Sequence, residues 1–315
     1  MITPGKLLLY LYHRPLGLAR DSIRQGGPLA QWRTERGRRE MEAAAGRLPE
    51  LPLFRPGPDV LLHLMTGRKF WYQTAFCLHS FSRAAQATVY AEIYDDGTID
   101  ADCARRLQQL GPRIRIHRQA DIVARLDEFL PAARFPVLRE RWRRYPNIRK
   151  LTDVQAGRSG WKLVLDSDLL FFRRPDFLLH WFCNPDRPLH AVDCMESYGY
   201  SRPLLERLAG APIPPLVNVG LCGLRGEDLN WEELEAWCAE LIAAEKTNYY
   251  LEQALVAMLM ARAARRAVAP AEDYITFPTR EEVRRPRAVM HHYVAESKRW
   301  YFGEGWRWIA REVKP

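Results

Sequence analysis

Hydrophobic residues in this chain fall into short unbroken runs separated by longer stretches of helical periodicity. The run Val60-Leu61-Leu62-His63-Leu64-Met65 after Asp59 is short and almost wholly apolar, so it predicts the first strand of an α/β domain. Residues 66–69 form its loop, and 70–82 carry the spacing of a helix. A second strand is predicted over 88–94, stopped by Asp95-Asp96-Gly97, most simply a turn. A helix over 99–110 and a third strand over 113–117 follow, with further short strands at 162–165, 189–192, 217–221 and 288–290. Strands and helices alternating at this length indicate an α/β fold with a doubly wound, mostly parallel mixed sheet flanked by helices.

The first 58 residues differ from this pattern. Residues 1–50 read as helical, above all 29–48, where Arg, Glu and Ala of high helix propensity follow Gly26-Gly27-Pro28. Pro49, Pro52, Pro56 and Pro58 then stop the helix and mark a linker. The expected organisation is an N-terminal helical extension and linker over 1–58 and one large domain over 59–315. The apolar run 7–12 is too short to span a bilayer and has no small-residue cleavage site after it. Six cysteines without C-x-x-C spacing argue against a zinc ribbon or redox pair, so reduced thiols in a cytoplasmic protein are expected.

Charge changes the picture in one place. Residues 105–150 hold 13 Lys/Arg against 4 Asp/Glu, which accounts for the whole formal net charge of +9. Arg139-Glu140-Arg141-Trp142-Arg143-Arg144-Tyr145 mixes bases with aromatics. Such a segment could contact an anionic membrane surface or an anionic acceptor; it could equally be the solvated face of a helix whose aromatics point inward. Nucleic acid is not the expected partner.

Candidate chemistry begins where Lys162-Leu163-Val164-Leu165 runs into Asp166-Ser167-Asp168. Open α/β sheets bind ligands at the carboxyl ends of their strands, and period-2 geometry would aim these two acids at the same face. Converging carboxylates repel unless a cation lies between them, and hard oxygen ligands favour Mg²⁺ or Mn²⁺. The plain alternative is a solvated acidic turn. Far downstream the strand 288–290 opens into His291-His292, an imidazole pair that offers a third ligand, and Lys298 lies within reach of an anion held by the same metal. Strand alternation lets only one of the two histidines face the metal.

The D-x-D after a strand, Val217-Asn218-Val219-Gly220-Leu221, the pair Glu252-Gln253, and the C-terminal His292-Tyr293 with Lys298 and Trp300 occur in the order seen in a known family. Over residues 59–302 the chain resembles the glycogenin-like, retaining nucleotide-sugar glycosyltransferases of the GT-A fold. The resemblance implies a metal held by Asp166, Asp168 and His292, with Asp166 also near the ribose and Lys298 on the diphosphate. It implies a donor pocket with Asn218 and Gly220 on the N-x-G strand, and Asp193, Glu252 and Gln253 as candidate catalytic residues around the sugar. Gln253 would face the reacting carbon. No carboxylate nucleophile emerges, so retention by front-face attack is expected, from a UDP-sugar to a saccharide, lipid or protein acceptor. In the loop after the first strand, where the family carries acidic or Asn residues against uracil, this chain has Thr66-Gly67-Arg68-Lys69.

Structural readings stand beside these. Asn218 and Gly220 could shape a bulge, Glu252 and Gln253 could be exposed helix positions, and Trp161, Trp300, Trp306 and Trp308 could serve packing. Two other functions fit parts of the pattern: a non-catalytic basic binding module, and a phosphohydrolase using the first Asp of D-x-D. Leu169-Leu170 after the motif, and its place in mid-chain, match the phosphohydrolase poorly.

Overall fold

The structure, a computed structural model, describes residues 26–246 and 249–313. The helical reading of residues 1–25 lies outside the described residues. Helix α1 (Pro28–Ala45) leads through the proline-rich connection into β1 (Asp59–Thr66), α2 (Trp71–Ala85), β2 (Thr88–Asp95), α3 (Ala101–Gln108) and β3 (Ile114–His117). Three helices follow, α4 (Gln119–Phe129), α5 (Pro136–Arg144) and α6 (Arg149–Gln155), before β4 (Trp161–Leu165) and β5 (Leu169–Phe171). The remainder runs α7 (Asp176–Cys183), β6 (Leu189–Val192), α8 (Arg202–Ala209), β7 (Val217–Arg225), α9 (Trp231–Glu245), α10 (Leu251–Arg262), β8 (Ala267–Val268), β9 (Tyr274–Thr276), α11 (Arg280–Arg284) and β10 (Met290–His292).

Seven strands form one sheet in the order β3-β2-β1-β4-β7-β6-β8, in which only β7 runs antiparallel to its neighbours. The expected mostly parallel mixed sheet is thus present. Its two faces bury separate cores because side chains alternate along each strand. Leu163, Leu165 and Leu221 join one core, while Val164 and Cys222 join the other. The same alternation explains the one polar residue of the β1 run. His63 turns to the second face, where its Nδ1 lies 3.2 Å from the Tyr94 hydroxyl.

Met41 and Ala45 of α1, with Leu48 and Leu51 of the connection, belong to the first core beside Val60 and Leu62. Gly37 lets α1 press against the C-terminal segment, since a Cβ there would sit 2.2 Å from the Phe302 carbonyl oxygen. No helix among the described residues is long and apolar enough to cross a membrane.

A second, three-stranded sheet has the order β5-β10-β9. Its last strand starts at Met290, two residues later than the sequence suggests, so His291 and His292 lie within the strand. Antiparallel pairing sets His292 opposite Leu169, the residue directly after the D-x-D.

Candidate functional site

Asp166-Ser167-Asp168 is the turn between β4 and β5 and does not continue the strand. The expected period-2 alignment of the two acids is therefore replaced by a turn geometry that is held from both sides. The Asp166 N–H donates to the Gly220 carbonyl at 2.7 Å, and the Tyr293 N–H donates to the Asp168 carbonyl at 3.1 Å. His292 Nε2 lies 3.4 Å from Asp168 Oδ1 and 3.7 Å from Asp166 Oδ2.

Two lysines divide the carboxylate oxygens. Lys150 Nζ is 3.0 Å from Asp166 Oδ1, and Lys298 Nζ is 3.1 Å from Asp168 Oδ2. Each aspartate thus has one oxygen held by an ammonium and the other turned to His292. Asp168 Oδ1 is buried and has no hydrogen-bond partner among the described residues. An unpaired buried carboxylate oxygen is costly, and a cation beside it would offset that cost. The three free donor atoms lie within 4.8 Å of one another. Adjacent ligands of an octahedral ion bound at about 2.1 Å stand roughly 3 Å apart, and a two-oxygen, one-imidazole set suits Mg²⁺ or Mn²⁺. The residues present fit a divalent cation.

Burial alone would raise the Asp168 pKa, but the charge of Lys298 and the contact with His292 outweigh it and hold the group below the usual carboxylate range. Lys298 is raised in turn, chiefly by Asp168. Lys150 is raised as well: its burial works against the charge, and Asp166 and Glu252 overcome it.

Gly220 lines the cleft, and its lack of a side chain matters to the neighbouring imidazole. A Cβ at this position would stand 2.2 Å from His292 Cε1 and 2.8 Å from its Nδ1, so the missing side chain is the space the imidazole occupies. Asn218 and Gly220 also shape a bulge: the pairing of β6 with β7 jumps at His190/Ala191, and Asn218 Oδ1 accepts the Gly220 N–H at 2.9 Å. Asn218 still lines the cleft.

The cleft in front of these groups has a volume of about 760 Å³ and is lined by Asp193, Asn218, Gln253, His292 and Lys298 together with the D-x-D. Gln253, at the start of α10, is buried, and its amide nitrogen donates to Asp193 Oδ2 and to the Val217 carbonyl, both at 2.9 Å. Both amide hydrogens are used, and its carbonyl oxygen has no hydrogen bond to another of the described residues. Glu252 is not exposed on the helix, nor does it line the cleft. It is buried with Oε2 3.6 Å from Lys150 Nζ, and burial pushes it up to about 7 ahead of the opposing pull of Lys150.

Sequence reasoning missed Lys150, which it counted only as part of the basic stretch 105–150. That stretch is not one surface. Arg139, Arg141, Arg149 and Lys150 are buried, and Arg143 and Arg144 pair with Glu140. The Trp142 indole points inward and donates to Asp153 Oδ1 at 2.7 Å. Also missed were Phe70, Tyr249, Tyr250 and Phe277 at the cleft. Nothing in their local periodicity marks them.

No protein-family model matches the chain, and no curated protein does. Among solved structures it is similar to the galactosyltransferase LgtC in complex with donor and acceptor sugar analogues, at 13% identity and a TM-score of 0.52, over 81% of this chain and 97% of that one. It is also similar to the WbbM bifunctional glycosyltransferase, at 12% identity and a TM-score of 0.52, over 84% of this chain and 53% of that one. At such identities the likeness concerns the fold, which is GT-A.

Proposed function

We propose that the protein is a metal-dependent glycosyltransferase that moves a sugar from a nucleotide diphosphate sugar, a UDP-sugar, to an acceptor hydroxyl with retention at the anomeric carbon. The observation that carries this reading is the division of the Asp166 and Asp168 oxygens, one each to a lysine and one each toward His292. Asp166, Asp168 and His292 would hold Mn²⁺ or Mg²⁺. Such an ion supplies positive charge to the oxygens of a departing diphosphate.

The rest of the reaction falls to the chain's own groups. Lys298 stands at the cleft with its ammonium beside Asp168, close enough to turn toward a diphosphate oxygen as a point charge. Asp193 and the Val217 carbonyl fix the Gln253 amide, so its oxygen is pre-organised toward a sugar whose anomeric carbon gains positive charge. The buried pair with Lys150 takes Glu252 away from the cleft. This supports attack by the acceptor on the face the diphosphate leaves, without a covalent Glu252 intermediate. Asp193 lines the cleft and holds the Gln253 amide.

Thermal unfolding with a panel of UDP-, GDP- and ADP-sugars, with Mn²⁺ and with EDTA, tests the reading. A ligand at 100 times its dissociation constant adds about 2.7 kcal/mol. A UDP-sugar with Mn²⁺ should raise Tm, EDTA should abolish the rise, and Asp168→Asn should fold normally and lose the response. A protein that no nucleotide stabilises, with or without metal, refutes it.

A further inference from the structure

Large apolar side chains at a surface are common singly, but their clustering in one concavity is a signal. Twelve large hydrophobic residues are exposed among the described residues, and five of them, Phe70, Met195, Tyr249, Tyr250 and Phe277, line the same cleft. Met195 and Tyr249 are 64% and 65% exposed, and Tyr249 stands edge-on to the Tyr250 ring with centroids 5.3 Å apart.

Phe277 adds an independent observation. Its φ is +65°, in the left-handed region that a bulky side chain rarely adopts. Proline follows at position 278, and the residue before a proline is normally held to extended backbone at negative φ. The position is thus doubly disfavoured, yet it does not bury the ring, which stays 38% exposed at the cleft. What the strained backbone does gain is one hydrogen bond, from the Phe277 N–H to the His292 carbonyl at 2.9 Å. That bond holds the Phe277 backbone beside the backbone of the proposed metal ligand, and both side chains line the cleft. Strain kept without a packing reward points to function.

We infer that Phe277, with Tyr249 and Met195, forms a stacking platform for the acceptor, and that the acceptor is a saccharide. This inference rests on the transferase reading above. A pyranose offers an apolar C–H face edged by hydroxyls, and the platform has the matching composition. Asp193, Ser197 and Glu296 line the same cleft as its aromatic and thioether surfaces and can bond hydroxyls. A lipid chain would leave those carboxylates buried against hydrocarbon at high cost.

The test is saturation-transfer NMR with methyl glycosides of glucose, galactose and N-acetylglucosamine, in the presence of UDP and Mn²⁺. At least one glycoside should receive saturation at the ring protons of its apolar face. Phe277→Gly removes the ring and relieves the backbone, so its Tm should equal or exceed that of the unaltered protein while glycoside Kd rises at least tenfold. Gln86→Gly relieves a comparable φ of +50° at the end of α2, and should leave the glycoside Kd where it was. A Phe277→Gly protein that binds glycoside as before, or an unaltered protein that binds none of the three, overturns the inference. Dodecyl phosphate saturated in place of the sugars would assign the mouth to a lipid instead. Nucleotide-dependent stabilisation is read separately. If it is absent while glycoside binding still depends on Phe277, the transferase reading fails and the saccharide platform stands.

Discussion

Replacing Gly220 by alanine adds one methyl group at the point where the proposed metal site has no slack. The glycine φ is not in the left-handed region, so alanine is allowed by the backbone and the whole effect comes from the new Cβ. That atom would lie 2.2 Å from His292 Cε1, whereas ordinary van der Waals contact begins at 3.4 Å. The ring must retreat by about 1.2 Å, the difference of the two, if the strands hold still. They are constrained to do so, because the Gly220 carbonyl accepts the Asp166 N–H and His292 pairs in register with Leu169. Metal bonds tolerate displacements of about 0.2 Å, so the imidazole would leave ligating distance. The expected outcome is an overpacking cost of about 1–3 kcal/mol and a loss of Mn²⁺ affinity of at least the ~10–100-fold seen when a ligand's support is removed. Free Mn²⁺ measured by electron paramagnetic resonance reads the affinity, and urea titration reads the stability. A double-mutant cycle with His292→Ala locates the effect: if Gly220 acts only through the ring, the second substitution adds almost nothing to the first. A Gly220→Ala protein with unaltered Mn²⁺ affinity would show that His292 is not a ligand.

Lys150→Met should destabilise the fold by about 3–5 kcal/mol in urea, because it leaves Asp166 and the buried Glu252 without their shared cation. Adding Glu252→Gln should recover part of that loss, and a cost below about 1 kcal/mol for Lys150→Met alone would argue against a buried ion pair. Stability should also fall in mild acid. Burial holds His63 and His79 down at about 4, below an ordinary 6.5. Both stay neutral when folded and bind protons on unfolding, so their contribution is complete above pH 6.5 and is lost as pH falls through 4. Each lowering from 6.5 to about 4 corresponds to at most about 3.4 kcal/mol. Urea midpoints from pH 7 to pH 4 measure the slope, and a His63→Asn, His79→Asn protein that keeps the same slope would assign it to other groups.

The strands were legible because they are continuous apolar runs, as in Val60–Met65, even though Leu61 of that run stays exposed; the D-x-D was legible because it ends the run Leu163–Leu165, whose alternate residues enter both cores. Less legible were residues whose meaning depends on a distant partner. Gly220 looks like a bulge former until the His292 ring is seen to occupy its missing side chain. Phe277 ends an ordinary short strand, and its left-handed backbone has no local signature. The D-x-D itself was misjudged in one respect, since strand periodicity does not extend through a turn. Lys150 was hidden by its neighbours. A base among bases reads as solvated charge, yet the fold turns α6 inward and buries the lysine between Asp166 and Glu252.

That hidden lysine bears on how the site could work. Among the described residues, the lysines that pair with Asp166, Asp168 and Glu252 are Lys150 and Lys298. With all three acids ionised the cluster is negative by one charge; with Glu252 protonated, as its raised pKa favours near neutrality, it is neutral. In neither state does it attract a diphosphate, which would meet two carboxylates at the base of the cleft. A divalent cation between Asp166, Asp168 and His292 makes the same cluster positive in both states. Cation and diphosphate should therefore bind as a coupled pair, each raising the affinity for the other by the same factor. Lys150 borders the cleft as well, but its ammonium is shared between Asp166 and Glu252 and on the proposed reading would keep Asp166 oriented for that exchange, whereas Lys298, half-exposed beside Asp168, would be the ammonium that follows the diphosphate.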